Sequence, residues 1–80
     1  MRLPRDMDAA TLVKALMRIG YVTTRQTGSH IRLTANEPQQ HHVTVPNHSP
    51  IKIGTLNSIL NEIANHRRMT RDELLQRLFQ

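Results

Sequence analysis

The 80-residue sequence predicts an α+β fold: a three-stranded antiparallel sheet covered on one face by two helices, in the order α-β-β-β-α, plus a C-terminal helix. Three observations lead there. Apolar residues recur at helical spacing in Leu12, Ala15, Leu16 and Ile19, and again in Leu56, Ile59, Leu60 and Ile63. Between those stretches the apolar residues alternate with polar ones, as in Ile31 and Leu33 and in Val43 and Val45. Gly28-Ser29 separates two segments of strand character with the residue types of a tight hairpin turn. A sheet with one apolar face needs a cover, and two helices packed on that side supply it. The opposite face is left free.

Asp8 is a candidate N-cap for the first helix, with Met7 and Leu12 placed to form a hydrophobic staple around it. Gly20 is placed to end that helix in a left-handed conformation. Tyr21 to Thr27 is rich in β-branched residues and reads as the first strand. Gly28-Ser29 suits a two-residue turn with glycine at the first central position. His30 to Thr34 is the second strand; if Ile31 and Leu33 face the core, then His30, Arg32 and Thr34 face outward. The third strand runs from His41 to Val45, with Val43 and Val45 inward, His42 and Thr44 outward, and Pro46 ending it. The second helix is expected from about Thr55 to Asn65. Thr70-Arg71-Asp72-Glu73 is a capping-box signature for the third helix, with Met69 and Leu74 as its staple.

Length allows one domain over residues 1–80, and a chain this short buries only about 60–65% of its unfolded surface. Chemistry is therefore expected on an open surface. Eleven cations, nine Arg and two Lys, stand against six acids, for a formal charge of +5. From Ala9 to Asn61 the cations are Lys14, Arg18, Arg25, Arg32 and Lys52, and the only acid is Glu37. Such a balance favours a polyanion or an acidic protein partner. The sequence has no cysteine, which excludes disulfide and thiolate chemistry. It has no apolar run of membrane-spanning length, and Met1 to Asp6 lack the apolar segment of a secretory signal. A cytoplasmic protein is the expectation. Tyr21 and Phe79 are too few aromatics for a base-stacking platform.

The stretch with the most chemical content is Arg25 to Arg32, with His30 at its centre. RNA supplies its own nucleophile: a base removes the 2′-OH proton and the oxygen attacks the neighbouring phosphorus. An imidazole titrates at about 6.5, so it can act as base and then as acid near neutral pH. Arg25 and Arg32 can stabilise the charge that builds on phosphorus. Gly28 offers no side chain, so a phosphate can approach the backbone closely. The plainer reading of His30 is a polar residue on an exposed strand.

His41, His42 and His48 cluster in sequence, but adjacent strand residues face opposite ways. With no cysteine and no nearby aspartate, no metal site and no cofactor are expected. His42 shares the outward face with His30 and is either a second proton carrier, a phosphate contact or a solvated residue. His66, near the end of the second helix, complements its dipole. Lys52, with Gly54 and Thr55, can bind phosphate at the second helix's N-terminus or be an ordinary loop lysine. Arg67-Arg68 reads as a solvated pair at a helix end.

Taken in order, four pieces resemble the HicA (YcfA-like) family of small bacterial mRNA interferase toxins. They are Ile19-Gly20-Tyr21; Arg25-Gln26-Thr27-Gly28-Ser29-His30; Val43-Thr44-Val45-Pro46; and Ile53-Gly54-Thr55-Leu56 with Ile59-Leu60. The resemblance covers a core of about residues 8–65 and leaves 66–80 as a helical extension. It implies a fold like the double-stranded-RNA-binding domain. It also implies a metal-independent mRNA endoribonuclease that arrests growth, the toxin of a type II toxin-antitoxin system. A HicB-type antitoxin is implied as the partner. The family's essential histidine falls on His30 and its turn on Gly28 and Ser29. Arg25, Arg32 and Lys52 complete the expected RNA contacts. The alternative is a non-catalytic RNA-binding module on the same scaffold. For the last helix, packing on the core, antitoxin binding and self-association all stay open.

Overall fold

The computed structural model describes residues 6–80; the reading of Met1 to Arg5 as lacking a secretory leader lies outside the described residues. Helix α1 (Ala9–Met17) starts where the sequence signals it: the Asp8 side chain accepts from the Thr11 N–H at 2.7 Å. Met7 and Leu12, the proposed staple, are both buried in the core. At the other end, Gly20 adopts φ +99°. Its N–H bonds Met17 O, and the Tyr21 N–H bonds Leu16 O. This paired closure explains why the first strand begins one residue later than predicted.

The sheet has the order β1-β2-β3, all antiparallel, with β1 (Val22–Gln26), β2 (His30–Ala35) and β3 (His41–Pro46). Ile31 faces Val45 and Leu33 faces Val43 across β2 and β3, and all four are buried. Ala35 adds a third inward residue beyond the predicted end of β2. Thr34 points outward as its position requires yet is buried, because Thr24 and His42 close over it with hydrogen bonds of 2.9 and 2.8 Å.

Helix α2 (Ile53–His66) begins two residues before the predicted Thr55. Lys52 occupies the N-cap without a side-chain bond, so no capping residue marks the start. Leu56, Ile59, Leu60 and Ile63 are buried as their spacing predicts. The helix closes as α1 does: the Met69 N–H bonds Ala64 O at 3.0 Å and the Arg68 N–H bonds Asn65 O at 3.2 Å. Here the left-handed residue is Arg68, at φ +53°. An L-residue in that region costs about 1–2 kcal/mol, and glycine gives back about 0.5–1 through its freedom in the unfolded chain. Arg68→Gly is therefore expected to raise stability by about 0.5–1 kcal/mol. A urea midpoint that falls would contradict this account of the turn.

Helix α3 (Arg71–Phe79) carries the predicted capping box. Thr70 Oγ1 accepts from the Glu73 N–H at 3.1 Å, and Glu73 Oε1 accepts from the Thr70 N–H at 3.0 Å. The helix packs against α1 and α2, and Leu74, Leu75 and Leu78 are completely enclosed. Arg18, the C-cap of α1, donates to Leu78 O at 2.9 Å and to Gln80 O at 2.6 Å, satisfying carbonyls that the end of a helix leaves free. Of the three roles open for α3, packing on the core is the one the structure shows.

Candidate functional site

The site is built on the β1–β2 hairpin. The Thr27 N–H bonds His30 O at 2.9 Å, leaving Gly28 and Ser29 as the two turn residues. The return bond, from the His30 N–H, goes to Thr27 Oγ1 at 3.2 Å. Gly28 is not in the left-handed region, and a Cβ added to it would meet nothing within 4 Å. Neither the backbone nor the packing requires glycine there.

His30 is exposed at the start of β2, and Arg32 is exposed one outward position further on, about 7 Å along the strand. Arg25 reaches the same face by a specific device. The pairing of β1 with β2 slips between Thr23 and Arg25. A regular ladder continued from Thr23 and Leu33 would set Arg25 opposite Ile31, on the core face. The bulge instead sets it directly opposite Arg32, on the outer face. Like charges directly opposed in a sheet are unfavourable. No acid engages either guanidinium among the described residues.

His42 is also outward, opposite Thr34, to whose hydroxyl its Nδ1 is bonded at 2.8 Å. Thr34 lies four positions along β2 from His30, about 13 Å. Lys52 stands at the start of α2, lining a cleft of about 360 Å³ with Asp6, Pro50, Ile51 and Ile53. With the helix beginning at Ile53, Gly54 and Thr55 lie inside its first turn rather than before it.

At the far end of the sheet the structure assembles a polar cluster that sequence reasoning missed. Tyr21 is fully buried, and its OH bonds His41 Nδ1 at 2.7 Å. The His41 ring stacks on His66, centroids 4.1 Å apart and planes 14° apart. His66 Nε2 lies 3.1 Å from Gln39 O. Arg67 places its guanidinium 5.3 Å from the Tyr21 ring centre and donates to Ile19 O. The expectation of a solvated Arg67-Arg68 pair therefore fails for Arg67, which is half-buried and ties the end of α2 to the α1–β1 turn. His66 does more than complement a dipole. It is a wall of the cluster. Among the described residues no group of three or more His, Asp or Glu converges as metal ligands would.

Burial, reinforced by the charge of His66, holds the His41 ring below its ordinary value of 6.5. His42 and Arg67 act in the same direction, and Glu62 opposes them. As pH falls, the unfolded chain binds this proton before the folded one does. Stability is thus full above 6.5 and is lost below it, until the folded ring also protonates. Urea midpoints are expected to fall between about pH 7.5 and pH 5, and His41→Gln to flatten the slope. An equal slope in the variant would remove His41 from the account.

Fold and site together define a class: a small basic α-β-β-β-α protein like the double-stranded-RNA-binding domain, presenting a histidine and paired arginines on its uncovered sheet face. The family model for the HicA toxin of bacterial toxin-antitoxin systems matches residues 9–64, from the first residue of α1 almost to the end of α2. The chain belongs to the HicA toxin family. Membership implies an antitoxin partner. No curated protein and no solved structure matches the chain. No helix among the described residues is long and apolar enough to cross a membrane.

Proposed function

We propose that this protein is a metal-independent endoribonuclease that cuts mRNA in the cytoplasm, and that a HicB-type antitoxin neutralises it. His30 takes the proton from the 2′-OH, which attacks phosphorus and expels the 5′-oxygen of the next nucleotide. The imidazolium then returns the proton to that leaving oxygen. Arg25 and Arg32 hold the phosphate as its charge rises. Gly28 and the Ser29 backbone let the phosphate close on the turn, and Lys52 contacts the chain further along.

The observation that carries this reading is the Arg25–Arg32 couple, engaged by no acid among the described residues, beside an exposed histidine. A β-bulge puts the first of those arginines on the outer face. Because a base and cations suffice for attack by the 2′-OH, the reaction needs no metal-activated water. Incubation of RNA with the purified protein is expected to give fragments at the same rate with and without EDTA. Inhibition by EDTA would contradict the mechanism. Salt-sensitive binding without fragments would identify a non-catalytic RNA-binding module instead.

A further inference from the structure

The Ser29 hydroxyl lies 3.0 Å from His30 Nδ1. We propose that Ser29 is a positioning residue: its oxygen accepts the Nδ1 proton and so fixes the tautomer in which Nε2 is free to take and return a proton. Its consequence for rate rests on the ribonuclease reading above.

Several bonds hold the serine where this requires it. The Asn47 N–H, from the loop after β3, bonds Ser29 O at 2.9 Å. Asn47 Nδ2 lies 3.5 Å from Gly28 O. Thr27 brackets the His30 backbone, taking its N–H at 3.2 Å and lying 3.4 Å from its carbonyl oxygen. The turn is thereby pinned to β3's exit as well as to its own hairpin. His30 Nε2 has no partner among the described residues.

The proposed general-base role requires one direction of this hydrogen bond. The bond one ring nitrogen makes decides which nitrogen is protonated. If the hydroxyl donated to Nδ1, the neutral ring would carry its proton on Nε2 and could not serve as a base there. If the hydroxyl accepts, Nδ1 keeps its proton in both the neutral and the charged ring, and Nε2 alone changes state. A free neutral imidazole favours the proton on Nε2. Without Ser29 the base-competent tautomer is therefore the minor one.

Nitrogen-15 NMR of labelled protein at about pH 8, above the ordinary imidazole range, reads the tautomer directly; the His30 signals are assigned by their loss in His30→Ala. Wild type is expected to show Nδ1 protonated, Ser29→Ala to revert to Nε2 protonated, and Ser29→Thr to keep the wild-type state. In cleavage assays Ser29→Ala is expected to lower kcat by about 10- to 100-fold, as the loss of a partner that orients a metal-bound imidazole through its far nitrogen does. KM should stay within about twofold, and Ser29→Thr should restore kcat. The same tautomer in wild type and Ser29→Ala would overturn the proposal, as would a loss confined to KM. The predicted tautomer change in a protein that never cuts RNA would uphold the positioning role while removing the ribonuclease reading.

Discussion

His30→Ala is expected to abolish growth arrest and mRNA cleavage on induction while leaving the protein folded. General acid–base help is worth about 10²–10⁴ in rate, and the proposed mechanism asks one ring for both halves of it. The side chain is exposed on the uncovered face of β2, so its removal should change stability by no more than about 0.5 kcal/mol. Growth curves, mRNA integrity and a thermal melt of the purified variant check both statements together. Arrest that persists at wild-type protein levels would remove His30 from the mechanism.

Leu78→Ala is expected to cost about 2–5 kcal/mol, the range for opening a cavity at an enclosed leucine. The total stability of a chain this size is roughly 4–12 kcal/mol, so the variant should lose a large share of it and unfold at a much lower denaturant concentration. Leu78 is 1% exposed, and its carbonyl is held by Arg18, the C-cap of α1. Gln76→Ala, on the exposed side of the same helix, should stay within about 0.5 kcal/mol of wild type. Chemical denaturation of the two variants decides the question. A loss below about 1 kcal/mol at Leu78 would mean that α3 is an appendage, against the packing described above. This matters because the family match ends at residue 64, before α3 begins.

Local chemistry was readable from the sequence. Asp8, Gly20 and the Thr70/Glu73 pair each act within a few residues of themselves, and each does in the structure what its type and spacing predict. The alternation Ile31, Leu33, Val43, Val45 set which face of the sheet is buried, and therefore that His30 and Arg32 point outward. The start of α2 was misplaced because Lys52 caps it with backbone alone, while Gly54 imitates a break. The larger omissions are all non-local. Arg67 meets Tyr21 and Ile19 across more than forty residues, and nothing near Arg67 announces it. His41 and His66 come together only when β3 and α2 pack. Asn47 reaches the turn only when β3 pairs with β2. The bulge at Thr24 left no turn residue or glycine as a mark, yet it determines whether Arg25 joins the site.

Analysis of the RNA ends left by the purified protein in the presence of EDTA bears most directly on the site. Attack by the 2′-oxygen, with one imidazole carrying the proton from the attacking to the departing oxygen, must leave a 2′,3′-cyclic phosphate on one fragment and a 5′-hydroxyl on the other. Fragments ending in 3′-hydroxyl and 5′-phosphate would show that water was the nucleophile, and would contradict the role given to His30.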